Sequence, residues 1–513
     1  MKQSFMQGTL TLFVSGMINR LLGFVPRIIL PRVIGAEGVG LFQLTYPFLI
    51  LLLTVISGGL PTAIAKLVAE EEQAGNHAEV KRIVRVSLWC VVAVSTICAL
   101  VCVASAQWMS IHLFRDERVY PAFLTTVPML FIVGISSVLR GYYQGKHNMI
   151  PTAISQLVET VVRLFAVVII AKLCLPYGLA WAAAGAMSGV VLGELGGLIY
   201  LLVYRRRSAL HERPNKTKIV ATSSTHTLRK ILKLASPMTA NKLVASTSYF
   251  FESILIIQSL ALAGISAQQG TALYGILQGM IIPILVLPNA LTYSLSLALI
   301  PAISQAYARG DFPLIRSRLQ QSLKLCIVCG IPFAVMMFVF AEPICRLMYN
   351  NSEIAYMLQW MAPVALFLYV QGPLQAALQA LDRSAVALRN TLLAAIVKLT
   401  LIYMLASSPQ LGITGALIAI NINILLTALL HWFSVRKSSE LRTRNLQLPL
   451  LFLCGTFMTA LALFAEQITA SMQGMAHTII APLLALACYV CFLFAFRIVS
   501  FSHFKKLFGR VSA

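Results

Sequence analysis

The sequence predicts an all-α, polytopic membrane protein with fourteen transmembrane helices. Of its 513 residues, 58% are hydrophobic and 11% are charged, which leaves no stretch for a soluble domain of useful size. Apolar runs of about 20 residues, enough to cross a hydrocarbon core about 30 Å thick, recur along the chain. We expect helices at 8–33, 42–65, 84–106, 121–140, 152–174, 179–204, 234–262, 274–302, 321–342, 357–381, 385–407, 412–435, 448–466 and 475–499.

An internal repeat divides the first twelve helices into two halves. Residues 140–144 (RGYYQ) are matched by 375–379 (QAALQ), and residues 162–164 (VRL) by 397–399 (VKL), both 235 positions further on. Because six helices per half is an even number, both halves insert with the same orientation, as in many transporters whose substrate site lies between the repeats. The expected organisation is a first half at 1–204, a linker at 205–233, a second half at 234–435, and two extra helices with a basic tail at 436–513.

The positive charge is concentrated in alternate loops. The net charge is +23, and its carriers cluster at 66–85, 140–146, 205–233, 309–318, 383–389 and 436–444. The loops between them are nearly free of charge, as at 263–271 and 407–412. Since basic loops stay in the cytoplasm, this alternation predicts a multi-pass protein of the cell membrane with both termini cytoplasmic. It also favours a linker held near anionic membrane lipids over a nucleic-acid partner.

The ten cysteines predict neither a metal site nor a cofactor. Cys326 with Cys329, and Cys488 with Cys491, have C-x-x-C spacing. Both pairs lie in apolar helices without a histidine or carboxylate cluster nearby, so helix packing is the expected role.

Two arginines lie deep in the first predicted helix. A charge in a membrane span costs several kcal/mol unless it is paired or faces water, so each is a candidate functional residue. Arg20 and Arg27 are seven residues apart and therefore share a helix face, with Asn19 beside them. We expect this face to line a water-filled cavity; snorkelling, or a tie to a neighbouring helix, is the alternative.

The corresponding helix of the second half carries Lys242 and Glu252. Lys242 lies near the cytoplasmic end, where snorkelling explains it as well as function does. Glu252 is deeper; it is either a counter-ion to the arginines of the first helix or a proton or sodium site. Gln278 and Asn289 add uncharged polar groups to the predicted cavity.

One charged pair is expected to be structural. Glu159 and Arg163 are four residues apart, so they can pair on one helical face.

Prolines occur at corresponding places in the two halves. Pro26 and Pro61 in the first half correspond to Pro288 and Pro301 in the second half. Proline removes a backbone donor and bends a helix, which membrane proteins tolerate where the protein lines a cavity. These four positions are therefore candidate hinges for alternating access.

A cavity rich in arginine and poor in carboxylate attracts an anion, and a guanidinium binds phosphate oxygens in a bidentate manner. The two extra helices at the end of the chain could line a groove for a long acyl or prenyl tail. An anionic head with an apolar tail describes a lipid-linked sugar diphosphate.

Three other functions compete with this one. An ion-coupled antiporter of organic cations needs acidic cavity residues, and Glu252 keeps that alternative open. A non-transporting scaffold would recruit cell-wall synthesis proteins through the linker at 205–233. A membrane enzyme is disfavoured, because no paired carboxylates or histidine clusters occur at a membrane face.

Four sequence runs carry a family resemblance: NRLLGF at 19–24, SGGLPTAIAK at 57–66, RGYYQGKHNMIPTAISQLVETVVR at 140–163 and LPNALTYSLSLALIPAIS at 287–304. Together they resemble the polysaccharide-transporter branch of the multidrug/oligosaccharidyl-lipid/polysaccharide exporter superfamily, over essentially the full length. The resemblance implies a V-shaped central cavity lined by predicted helices 1, 2, 7 and 8. It also implies a flippase that moves an undecaprenyl-diphosphate-linked saccharide, lipid II or a related peptidoglycan precursor, to the outer face of a bacterial cell membrane. Within the branch the resemblance is strongest to a sporulation member, so the expected use is spore cortex synthesis.

The resemblance also points to individual residues. Flippases of the branch place an arginine in the cavity on the first helix, and Arg20 matches that motif. Arg27 is shifted by one position from a second family cation, with Pro26 at the aligned site. The eighth helix of lipid II flippases carries an arginine, whereas this chain has Gln278 and Met280 in that region.

Overall fold

The computed structural model describes residues 5–211, 223–439, 447–469 and 475–496, and this part of the chain contains helices and turns but no β-strand. Seventeen α-helices are described: α1 Phe5–Ser57, α2 Leu60–Gln73, α3 His77–Trp108, α4 Tyr120–Gly145, α5 Ile150–Cys174, α6 Leu179–His211, α7 Ser224–Leu262, α8 Ala267–Gly275, α9 Ile282–Val286, α10 Asn289–Ala308, α11 Phe312–Val339, α12 Ala341–Tyr349, α13 Ala355–Ala380, α14 Ser384–Ala406, α15 Ile413–Ser439, α16 Leu448–Thr469 and α17 Met475–Ala495.

The helices have the length and composition of membrane spans. Among the described residues, eleven helical stretches are long and apolar enough to cross a membrane. The first of them, Ser15–Gln73, has 59 residues, about three times the length that one crossing requires. The predicted class, an all-α polytopic membrane protein, is confirmed. Residues 212–222 of the predicted linker and the predicted basic tail after 496 lie outside the described residues.

The helix α1 continues through a predicted loop. The hydropathy pattern predicts separate helices at 8–33 and 42–65, whereas α1 runs from Phe5 to Ser57 with one non-helical residue, Gly35, at φ 70° and ψ 178°. Glycine tolerates this positive φ because it has no Cβ, so it bends the chain without a loop. The break that was not predicted follows Ser57, where Gly58 and Gly59 separate α1 from α2.

The predicted helix at 274–302 is interrupted. It comprises the end of α8, a π-helical turn at Ile276–Ile281, the short α9, and most of α10. Two prolines account for the breaks: Pro283 lies in the first turn of α9, and Pro288 is the residue before α10. Both positions lack the N–H that a continuing helix would need.

The chain forms two compact units. Unit 1 comprises residues 1–280 and 401–415, and unit 2 comprises 281–400 and 416–513. In unit 1, α5 and α6 pack closely along glycines of α6: a Cβ added at Gly189 would lie 2.4 Å from the Val167 nitrogen. Small residues allow this close backbone approach in membranes, where packing drives helix association.

Unit 2 is built around α11. On one side α10 and α13 bury a cluster that includes Ile303, Leu319 and Leu378. On the other side the two extra helices α16 and α17 pack on α11, and the Tyr489 hydroxyl donates a 3.0 Å hydrogen bond to the Val328 carbonyl. The C-terminal helices are therefore an integral part of this unit.

Candidate functional site

The candidate cavity residues of the first helix lie on an accessible face of α1. Arg20 and Arg27 are both exposed, and Asn19 is half-buried. The Asn19 Oδ1 atom is buried without a hydrogen-bond partner among the described residues. Near the start of this segment, the Ser15 hydroxyl donates to the Ala153 carbonyl of α5 at 3.2 Å. This contact ties the arginine-bearing segment of α1 to unit 1.

Tyrosines on two helices lie close to Arg27. The Arg27 charge acts on the hydroxyl groups of Tyr46, further along α1, and Tyr249, on α7. Glu252 acts on the Tyr249 hydroxyl as well. In unit 1 the Tyr249 hydroxyl is therefore within electrostatic reach of both a cation of α1 and a carboxylate of α7. Nothing in the local sequence around these tyrosines could have identified them.

Glu252 is buried and is joined to the interrupted helix. The Gln278 side-chain amide donates to Glu252 Oε1 at 3.1 Å, and the two residues are 8% and 7% exposed. Gln278 lies in the π-helical turn, a distortion often found at functional sites.

Lys242 contacts a different part of unit 1 from Glu252 and Gln278. Its Nζ donates to the Gly58 carbonyl at 2.6 Å, so it is occupied at the junction between α1 and α2. Asn289 belongs to unit 2, where its side-chain oxygen accepts from the Thr292 hydroxyl at 3.1 Å in the first turn of α10.

The four candidate hinge prolines occupy different local positions. Pro26 lies inside α1, whereas Pro61 is in the first turn of α2, directly after the Gly58–Gly59 break. In unit 2, Pro288 precedes α10 and Pro301 lies inside it. Two of the four prolines therefore stand at helix junctions.

A buried charge cluster connects three helices of unit 1. Glu159 on α5 lies 3.0 Å from an Arg163 guanidinium nitrogen and 2.9 Å from one of Arg140 on α4. Glu194 on α6 is electrostatically close to all three, and its Oε2 is buried without a hydrogen-bond partner in the described part of the chain. The structure therefore brings Glu159 and Arg163 together, and adds two residues that lie too far apart in sequence to be paired by spacing.

Polar contacts also clasp α7 at the end that carries the basic loops. In this first clasp, Thr227 Oγ1 donates to Glu79 Oε1 at 2.7 Å. Lys242 bonds the Gly58 carbonyl as described, and the Gly59 amide donates to Thr239 Oγ1 at 3.0 Å. The backbones are also close at Gly59, where an added Cβ would lie 2.4 Å from the Ala235 carbonyl oxygen.

A second clasp holds α7 and α8 at the opposite end. The Gln258 amide donates to the His112 and Leu113 carbonyls at 2.6 and 2.9 Å. Thr271 on α8 donates to Asp116 at 2.9 Å, and Asp116 pairs with Arg118, which also contacts Glu37 on α1. Further hydrogen bonds of this clasp join Arg115 to Gln258 and Gln268 to Glu37. In this structure α7 is therefore fastened to the α1–α4 part of unit 1 at both of its ends, and α8 is fastened there by the second clasp.

Unit 2 contains an apolar cavity of about 400 Å³. It is lined by α11, α13, α15 and α16, among them Ile331, Leu366, Val370, Trp432 and Phe452. Two threonines, Thr456 and Thr459, are the hydroxyl groups in its lining. The cavity suits an aliphatic group and offers no charge.

The chain is a polytopic helical membrane protein with arginines on an exposed face of α1 and with interrupted helices. These features are typical of membrane transporters. A sequence model of the family described as polysaccharide biosynthesis protein matches residues 5–307, and one described as MatE matches residues 245–404. The chain belongs to the polysaccharide biosynthesis protein family, within the multidrug/oligosaccharidyl-lipid/polysaccharide exporter superfamily, and is a membrane flippase or transporter of that superfamily.

Individual relatives agree with this assignment. The chain is 38% identical over 511 residues to stage V sporulation protein B of Bacillus subtilis (strain 168), covering 99% of this chain and 98% of the relative. It is 24% identical over 457 residues to the lipid II flippase MurJ of the same organism, covering 85% and 83% of the two chains.

Solved structures share the fold. A structure of lipid II flippase MurJ in an inward closed conformation superposes with a TM-score of 0.72 at 14% identity, covering 94% of this chain and 98% of that one. An inward-facing multidrug resistance MATE family transporter superposes with a TM-score of 0.65 at 16% identity, covering 82% and 94%.

Proposed function

We propose that the chain is a flippase that moves a lipid-linked sugar diphosphate from the inner to the outer face of the membrane by alternating access. The observation that carries the proposal is the exposure of Arg20 and Arg27 on one face of α1. Two guanidinium groups within an apolar span are costly against lipid, and they match the geometry and charge of a diphosphate. The fourteen spans, the halves at 1–204 and 234–435, the V-shaped cavity and the cytoplasmic termini belong to this proposal.

The apolar cavity of unit 2 supports a substrate with a long hydrocarbon tail. Its lining residues on α13 and α15, such as Val370 and Trp432, would contact methyl and methylene groups without leaving a polar group unsatisfied. A polyprenyl tail has this chemistry, and a small hydrophilic solute does not.

Similarity to known proteins supports a cargo of peptidoglycan synthesis. The relatives include a sporulation protein and a lipid II flippase. We therefore propose undecaprenyl-diphosphate-linked saccharide, lipid II or a close precursor, as the cargo and the spore cortex as its destination. An inside-negative membrane potential favours outward movement of an anion by about 2.3 kcal/mol per charge per 100 mV.

The two clasps supply the gates of an alternating-access cycle. The distribution of basic loops assigns the first clasp to the cytoplasmic side and the second to the outer side. Loading the cargo requires the first clasp to open, and releasing it requires the second to open. Opening the first clasp breaks a few hydrogen bonds. Opening the second clasp breaks hydrogen bonds and ion pairs and also separates the close contact between α1 and α8 at Gly40.

An ion-coupled antiporter of organic cations is the second candidate. The buried Glu252 favours it, since a carboxylate attracts a cation. The exposed arginines of α1 oppose it, because they give the same unit a positive field. The scaffold alternative depends on the linker, of which 212–222 lie outside the described residues.

The test replaces the flippase of a bacterial cell with this chain and measures lipid II that has reached the outer face, detected by an enzyme that acts only from outside. We expect flipping by the natural chain and its loss in Arg20→Ala at equal membrane abundance. Arg85→Ala, which removes an exposed charge on α3, is the matched control and should retain activity. Equal flipping by all three proteins would contradict the role of α1, and absence of flipping by the natural chain would contradict the cargo.

A further inference from the structure

Four tyrosines form a cluster where α4 and α6 reach the basic-loop end of unit 1. Tyr142 and Tyr143 lie near the end of α4, with ring centroids 5.1 Å apart. Tyr204 on α6 packs on Tyr143 edge to face at 5.4 Å, and Tyr200 stacks on Tyr204 at 6.2 Å. Tyrosine is enriched where a membrane meets water, because its ring is apolar and its hydroxyl is polar.

Tyr143 differs from a tyrosine that only anchors a helix at the membrane surface. An anchor tyrosine has its hydroxyl in water, whereas Tyr143 is 3% exposed. Its hydroxyl is buried and has no hydrogen-bond partner among the described residues. An unsatisfied buried donor is rare and costs free energy, so this hydroxyl is expected to meet an acceptor that belongs to another molecule.

The charges near this hydroxyl are positive. Lys146 and Arg205 both act on the Tyr143 hydroxyl. The Lys146 ammonium lies 5.1 Å from the centre of the Tyr142 ring, in the turn that follows α4. In the same turn the Asn148 amide donates to the Tyr204 hydroxyl oxygen at 3.2 Å, which leaves the Tyr204 proton available to an acceptor. Phenol hydroxyls and cationic groups at the same end of α4 and α6 suit a phosphate group.

The surface beside the cluster is apolar. On α6, Ile199, Leu202 and Val203 are exposed large hydrophobic residues within one to five positions of the two tyrosines. In a membrane-spanning helix these side chains face lipid chains. A molecule with a phosphate head and hydrocarbon tails would satisfy both parts of this surface at once.

We propose that the four tyrosines, with Lys146 and Arg205, bind the phosphate headgroup of an anionic membrane phospholipid whose acyl chains lie along α6. The Tyr143 hydroxyl donates to a phosphate oxygen, and the two cations balance its charge. This site is separate from the arginines of α1, so the inference does not depend on the proposed cargo.

The decisive variant is Tyr143→Phe, because the result differs according to whether a ligand accepts a hydrogen bond from this hydroxyl. If no ligand accepts from the hydroxyl, removing an unpartnered buried donor leaves stability unchanged or raises it. If a phosphate accepts from it, the variant binds the lipid more weakly. Lys146→Gln, which removes one cation from the turn after α4, is the second variant should Tyr143→Phe fail to fold.

The experiment uses the full chain in detergent and follows its thermal unfolding during titration with phosphatidylglycerol, phosphatidylcholine or inorganic phosphate. We expect phosphatidylglycerol to stabilise the natural chain, with apparent affinity about tenfold lower in Tyr143→Phe and Lys146→Gln, as for the loss of one charge-assisted hydrogen bond. Tyr177→Phe removes an exposed hydroxyl elsewhere and Arg85→Ala an exposed charge, and both should titrate like the natural chain.

Two results would overturn the proposal. Equal titration of the natural chain and both cluster variants would show that the cluster is not the binding site. Equal stabilisation by phosphatidylcholine, or by inorganic phosphate alone, would show that an anionic lipid headgroup is not the ligand.

Discussion

Thr271 on α8 donates a 2.9 Å hydrogen bond to the carboxylate of Asp116, in the connection between α3 and α4, and both residues are almost completely buried. The same carboxylate accepts from the Arg118 guanidinium at 2.8 Å, and Arg118 also contacts Glu37 after the bend at Gly35. One buried aspartate therefore connects three separate segments of unit 1. It is the centre of the second clasp.

Asp116→Asn is expected to loosen this clasp. The variant keeps the size of the side chain but removes the charge that faces Arg118, at a cost of about 1–3 kcal/mol for a charged hydrogen-bonded group. Hydrogen–deuterium exchange should quicken in peptides covering 109–119 and 267–275. Thr271→Val should have the same effect to a smaller extent, since it removes one hydrogen bond.

The control for Thr271→Val is Thr125→Val. The Thr125 hydroxyl bonds the Ala122 carbonyl of its own helix, so its loss should leave the exchange of both peptides unchanged. If Asp116→Asn exchanges as slowly as the natural chain, these contacts do not hold the end of α8.

Gly40→Ala tests the backbone contact behind the same clasp. An added Cβ at Gly40 would lie 2.0 Å from the Thr271 carbonyl oxygen, which cannot move without displacing α8. We expect a loss of about 2 kcal/mol or more in the free energy of unfolding, as for other overpacked sites. Thermal unfolding in detergent measures it.

The matched control is Gly23→Ala, also in α1. No atom lies within 4 Å of a Cβ added there. Replacing this helical glycine should stabilise the protein by about 0.5–1 kcal/mol, because alanine loses less conformational freedom on folding. Equal effects of the two variants would mean that the close approach of α1 and α8 contributes nothing to stability.

Arg20→Lys separates geometry from charge at α1. A lysine keeps the positive charge but presents a single ammonium, which cannot bind two phosphate oxygens as a guanidinium does. In the lipid II assay we expect activity that is reduced about tenfold, equivalent to about 1.4 kcal/mol. Full activity of Arg20→Lys, with none in Arg20→Ala, would mean that a point charge suffices.

The features that could be predicted from the sequence are those that depend on local patterns, such as hydropathy and residue spacing. Hydropathy alone predicts the all-α membrane class, and the spacing of four residues predicts that Glu159 and Arg163 can meet. The sequence predicted a loop between residues 33 and 42, whereas the chain only bends there, because a single glycine, Gly35, adopts a positive φ and the helix continues. The clasps were missed because their partners, such as Glu79 and Thr227, are 148 positions apart and leave no periodic signal.

The buried cluster around Glu159 gives two variants with different expected outcomes. Glu159 pairs with both Arg140 and Arg163, so Glu159→Gln leaves two guanidinium groups without their shared carboxylate. We expect a loss of about 3 kcal/mol, at the lower end for broken buried ion pairs because the arginine side chains are 17% and 28% exposed.

Glu194→Gln should change the free energy of unfolding by less than about 1 kcal/mol. Its Oε2 has no hydrogen-bond partner in the described structure, so ionisation of Glu194 gains little there, and a neutral amide of the same shape can donate to the neighbouring Glu159. Thermal unfolding of both variants beside the natural chain measures the difference. A larger loss for Glu194→Gln than for Glu159→Gln would show that Glu194, and not Glu159, is the carboxylate that neutralises the two arginines.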